Sequence, residues 1–129
     1  MNGVPMSING IGNDAWNMRL LRHLYACRAG MLGIYVREVA CELAYCAMVT
    51  GRLDEAGQLL DDAALERYIA TGRRFMSSKE RLQCARELYL NNDRPAAEAI
   101  YQRLAEHRAD YLLQGEVSSD LALMRAILY

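Results

Sequence analysis

Two stretches of this 129-residue chain, "TGRLDEAGQLLDDA" from Thr50 and "NNDRPAAEAIYQRLA" from Asn91, each follow an apolar run and match one another at an offset of 41 residues (97 − 56). At that offset Ala44 meets Ala85, Ala56 meets Ala97, Leu43 meets Cys84, Ala47 meets Leu88, Leu60 meets Tyr101 and Gly51 meets Asn92. Small residues therefore recur where two antiparallel helices have to approach closely. Between them recurs a residue that tolerates the left-handed conformation in which helices end. Proline occurs only at positions 5 and 95, alternating strand patterns are scarce, and apolar residues recur with helical period. The expected fold is all-α: antiparallel helical hairpins, about six helices in total.

The element boundaries follow from turn and cap chemistry. Residues 1–12 are uncharged and Gly-rich and are expected to form a flexible arm; residues 13–129 form a single helical-repeat domain. A first helix is expected over 14–29, capped by Asn13 or Asp14, with Trp16, Leu20, His23 or Leu24, and Cys27 on one stripe. Gly30 and Gly33 flank a turn, and a second helix spans 34–49 with Gly51 in its C-terminal turn. A third starts near Leu53 with acids in its first turn, breaks near Asp61 or Ala64, and resumes to Tyr68. Ser77 and Glu80 have capping-box spacing and are expected to start the next helix, which stops at "NND". Asp93 caps a fifth, with Pro95 in its first turn and Gly115 at its end; Ser118 or Ser119 caps a last short helix over 120–128. That final apolar segment, "LALMRAILY", is expected to pack back on the core.

The repeat resembles the tetratricopeptide repeat (TPR) family over roughly residues 36–105. Ala44 and Ala85 match the small eighth residue of that family's first helix, and Gly51 matches its turn glycine. Ala56, Leu60 and Ala63 match the Ala–large–Ala pattern of its second helix, with Leu104 replacing the last alanine in the second copy. The period here is longer than the family's ~34 residues. The signature Trp and Tyr of the first helix and the closing Pro are absent. The resemblance implies a right-handed TPR-like stack whose groove binds protein. In size, charge and organisation the chain is similar to the small helical-repeat chaperones of bacterial secretion systems. Two repeats are few for an isolated stack, so the end helices are expected to mediate a homodimer or a complex with a partner chain.

Chemistry-bearing patterns are sparse. "GIGNDA" fits a dinucleotide-binding pattern through Gly10, Gly12 and Ala15, but no strand precedes it and no sheet follows. His23 and Cys27 stand one helical turn apart, short of the four ligands a structural zinc needs, while Cys41 and Cys46 point in different directions. No nucleophile–base pattern occurs around the two histidines. No catalytic residue, metal or cofactor is therefore expected. The four cysteines sit in apolar contexts, Cys27 as a core residue, and with no signal-peptide pattern at the start a reducing cytoplasm is the expected setting. No apolar stretch nears the ~20 residues of a membrane span.

Charge points to binding. Fifteen basic and sixteen acidic residues give a net −1, so no global field draws the chain onto nucleic acid. Residues 67–81 nevertheless collect Arg67, Arg73, Arg74, Lys79 and Arg81 around Phe75 and Met76. Tyr45 and Tyr89 fall one position apart under the repeat alignment, on the side of each first helix expected to be open. The expected partner-binding residues are thus Tyr45, Tyr89, Arg73, Arg74, Phe75 and Arg81, on a non-catalytic adaptor or chaperone that grips a peptide or partner helix. The alternative is a nucleic-acid-associated regulator acting through the basic 67–81 segment.

Overall fold

A computed structural model describes residues 14–71 and 74–129; the expected arm 1–12 and Arg73 lie outside them. The described residues form helices and connecting turns, with no strand among them. In chain order the α-helices are α1 (Asp14–Ala26), α2 (Gly33–Val49), α3 (Leu53–Leu60), α4 (Ala63–Ala70), α5 (Ser78–Ala85), α6 (Arg94–Glu106) and α7 (Gln114–Leu128). The all-α expectation holds.

Two central helices, α2 and α5, pack against each other, with α1, α3 and α4 around α2 and α4, α6 and α7 around α5. The hairpins α2–α3 and α5–α6 are the two copies of the 41-residue pattern. Ala44, Ala56, Ala85 and Ala97 are all fully buried. The only positive φ values among the described residues belong to Gly51 (84°) and Asn92 (51°). At Gly51 the motif is a Schellman cap: Arg52 N–H donates to Ala47 O and Gly51 N–H to Met48 O. The second copy is wider by one residue. Arg86–Leu90 continues α5 as a π-helical turn, and Asp93 N–H reaches back to Glu87 O, six residues, where Arg52 reaches back five.

Local chemistry explains most helix ends. Asp62 accepts from Ala64 N–H and Leu65 N–H and starts α4, separating it from α3 at the expected break. Asp93 accepts from Ala96 N–H, with Pro95 in the first turn of α6. Three expectations are corrected. Ser77 precedes α5, yet its Oγ donates to Asp120 on α7 and Glu80 bonds Tyr111, so the capping box does not form. Gly115 lies in the first turn of α7, which begins at Gln114 and runs well ahead of the expected 120. Cys27, expected in the core, is exposed just past the end of α1.

Two apolar clusters result. The larger is built on α2 with Met18, Ala56, Leu60, Leu65, Tyr68 and Leu82; the smaller holds Cys84, Ala97, Leu104, Tyr111, Val117 and Met124. The C-terminal segment packs back as expected. Met124 and Leu128 are buried, Arg94 donates to Leu128 O, and Tyr129 meets Tyr101 edge to face at 6.3 Å between ring centroids.

Candidate functional site

Where α2, α5 and α7 meet, the contact is ionic. Arg81, 6% exposed, donates through Nη2 to Glu42 on α2; its Nη1 lies 3.4 Å from Asp120 Oδ1 on α7. Its guanidinium sits 4.3 Å from the centroid of the Tyr45 ring, a geometry in which the cation is attracted by the π face. Ser77 Oγ donates to Asp120 Oδ2 at 2.5 Å, and Tyr68 OH donates to Glu38 Oε1 at 2.8 Å. Burial raises the pKa of Asp120, opposed by Arg81 and the Ser77 hydrogen bond. Burial likewise raises Glu38, opposed by the Tyr68 hydrogen bond, and raises Glu116, where the charge of Asp120 adds to the effect. For Arg81, burial favours the neutral form, but the facing Glu42 and Asp120 outweigh it and keep the guanidinium charged. These groups hold helices together, and Arg81, Glu42 and Tyr45 also border a hollow of about 240 Å³ between α1, α2 and α7.

The opposite face of α2 carries a trough of about 540 Å³ between α1 and α3. Leu43 forms its floor. Arg22, Tyr25 and Arg28 line one wall, and Glu55, Gln58 and Leu59 the other, with Asp61 and Asp62 at one end. Arg22 spans it, donating Nε to Glu55 Oε2 at 2.8 Å and Nη2 to Oε1 at 2.6 Å. These hydrogen bonds, more than the opposite charge, hold the Glu55 carboxyl below the usual carboxylate range. The chain leaves the trough wall at Arg28 and enters the α1–α2 turn. There Leu32, Ile34 and Tyr35 are 69%, 40% and 58% exposed.

The expected binding residues do not form one surface. Tyr45, expected on an open groove, is 2% exposed beneath Arg81, and Arg81 itself is tied to Glu42 and Asp120. Both positions are corrected: an Arg–Tyr stack between carboxylates supplies the burial that periodicity alone did not foresee. Tyr89 is half-buried in the π-helical turn against the larger cluster, and Phe75 folds partly inward onto the same cluster. Arg74 is exposed, its guanidinium 5.8 Å from the Tyr111 ring centroid. Lys79 is largely buried and paired with Glu80 at 3.2 Å, so the basic 67–81 segment is dispersed over several environments.

Sequence reasoning passed over the trough and the Leu32–Tyr35 turn. The signal was present: "MLGIYV" places large apolar residues on both sides of Gly33, where α2 begins. No group of three or more His, Cys, Asp or Glu side chains able to hold a metal occurs among the described residues. No described helix is long and apolar enough to cross a membrane. No protein-family model, curated protein or solved structure matches the chain.

Proposed function

We propose that the chain is a non-catalytic protein-interaction module: a TPR-like adaptor or chaperone that holds an apolar-faced helical segment of a partner protein across the α1–α3 trough. One observation carries the reading. Three large apolar side chains, Leu32, Ile34 and Tyr35, stand 40–69% exposed within four residues, in the segment that follows the trough-lining Arg28 along the chain. Apolar groups clustered in this way mark surfaces that another protein covers, and an amphipathic helix fits a groove through anchors spaced by one turn. At one end the trough carries Arg28 on one wall and Asp61 and Asp62 on the other, charges that can pair with complementary charges on a bound segment. Asp120, Glu38 and Arg81, whose acidity is shifted, bond to neighbouring helices, which supports a role in holding the fold. A reducing cytoplasm suits a protein whose Cys27, Cys41, Cys46 and Cys84 are all free thiols. The nucleic-acid reading is less favoured, because Arg81 is buried and Lys79 is paired.

Selection of a displayed library of amphipathic helical peptides against the protein tests this. Peptides with apolar residues at i, i+3 or i+4, and i+7 are expected. Their affinity should fall more than about tenfold for Leu32→Glu combined with Tyr35→Glu, about 1.4 kcal/mol. Peptides that bind the double variant as tightly as the parent would refute the proposal. So would a concentration-dependent dimer abolished by the same substitutions, since the face would then serve a second copy of the chain.

A further inference from the structure

On the α5–α6 side, away from the trough, four separate parts of the chain converge on a small pocket of about 170 Å³. Arg74 comes from the α4–α5 loop, and Lys79 and Glu80 from the first turn of α5. Arg103, Leu104 and His107 come from α6 and its end, and Tyr111 from the α6–α7 connection. Arg103 and His107 are four apart and share one face of α6. Among the described residues neither Arg74 nor Arg103 has a carboxylate partner, although other arginines, such as Arg22, Arg81, Arg86 and Arg94, do. The one carboxylate in the lining, Glu80, is buried: its Oε2 accepts from Tyr111 OH at 2.5 Å and lies 3.2 Å from Lys79 Nζ, while its Oε1 has no hydrogen-bond partner among the described residues. Asp110, next to the pocket, is 3.3 Å from His107 Nδ1.

We propose that this pocket binds a phosphate group. With Arg74, Lys79 and Arg103 against Glu80, the lining carries an excess of two positive charges and matches a dianion. Two guanidinium forks and an ammonium meet a tetrahedral oxyanion with charge-assisted hydrogen bonds, and arginine is suited to bidentate contact with phosphate. The volume accommodates such a group. Glu80 and Tyr111 act as positioning residues. Their mutual bond fixes the pocket's inner wall, and Glu80 anchors the Lys79 ammonium beside the cavity. The site is independent of the proposed partner trough and shares no lining residue with it.

The test is calorimetric titration of the full chain with inorganic phosphate and, separately, with a phosphoserine peptide and its unphosphorylated form. Saturable one-to-one binding of inorganic phosphate is expected, with a dissociation constant of about 1 mM or tighter. Arg74→Gln with Arg103→Gln should weaken it by about tenfold or more. Arg19→Gln with Arg125→Gln, which removes the same charge from exposed positions elsewhere, should leave it within about twofold, as expected of exposed charges far from the site. Binding of the phosphopeptide as well assigns the pocket to a phosphate carried on a partner. Binding of inorganic phosphate alone assigns it to the free ion. Binding of neither, or equal loss in both double variants, overturns the proposal.

Discussion

Replacing Arg81 by methionine should be among the most damaging single changes to this protein, and the geometry gives its size. Methionine keeps apolar volume against Tyr45 and removes the charge. Breaking a buried ion pair by deleting one partner costs about 3–5 kcal/mol, because the remaining charge stays buried and uncompensated. Here the two partners differ. The Glu42 side chain is 37% exposed and can recover its hydration; that of Asp120 is 6% exposed and cannot. Asp120 keeps the Ser77 hydrogen bond but loses its cation, which places the expected loss near the lower limit, about 3 kcal/mol. Against a total stability of roughly 5–15 kcal/mol the variant should still fold, melting about 9–15 °C lower. Urea unfolding followed by far-ultraviolet circular dichroism measures the loss directly. Adding Asp120→Asn to the variant should restore about 1–2 kcal/mol by removing the stranded charge. Lowering the pH to about 5 should also shrink the deficit, because burial already raises the proton affinity of Asp120. A loss below about 1 kcal/mol at pH 7, or an Asp120→Asn change that adds to the damage, would refute this account of the α2–α5–α7 contact.

Three further outcomes follow from other parts of the fold. A Cβ at Gly51 meets nothing within 4 Å, so Gly51→Ala should cost only the left-handed backbone penalty, about 1 kcal/mol, while Asn92→Gly should be neutral or slightly stabilising; equal losses at the two turns, read from urea midpoints, would contradict the repeat geometry. Asp120, Glu38 and Glu116 bind protons more tightly folded than unfolded, chiefly through burial, so their stabilising contribution is complete at low pH and is lost as pH rises through their raised folded values. Glu55, held acidic by Arg22, works the other way and weakens the fold only below the ordinary carboxylate range. The urea midpoint should therefore rise as pH falls from about 8 to about 5, and a fall across that window would count against the sign worked out here. Native protein should react with a thiol reagent quickly at the exposed Cys27 and slowly at Cys41, Cys46 and Cys84, which are buried, the Cys84 thiol being pushed up to about 12; rapid reaction of all four without denaturant would contradict the core.

What could be read in the chain was what is decided locally or by period. The all-α class, the Asp62 break, the Asp93 cap and the four crossing alanines all depend on neighbours within a turn or on a regular face. What could not be read was decided at long range. Ser77 has the spacing of a cap, but a carboxylate 43 residues away takes its hydroxyl. Arg81 reads as a member of a basic run, but Glu42, 39 residues earlier, draws it inside and Tyr45 goes with it. In the reverse sense, helical period starting at Val36 said nothing of the large apolar residues at 32–35, and Leu32, Ile34 and Tyr35 are exposed. The basic pocket likewise draws on residues from 74 to 111, a grouping that no window of sequence displays.

Of the buried side chains, those of α5 serve both apolar clusters, Leu82 and Ala85 the larger and Cys84 the smaller, and the half-buried Ile127 of α7 packs against both. The last third of the protein therefore hangs mainly from one beam. If α6 and α7 peel away, the larger nucleus keeps nearly all its own side chains, so the molecule can come apart in two stages, C-terminal pair first. Amide protons of α2 should then be the last to exchange with solvent, and a partner that grips the α1–α3 side would stiffen the half that needs it least.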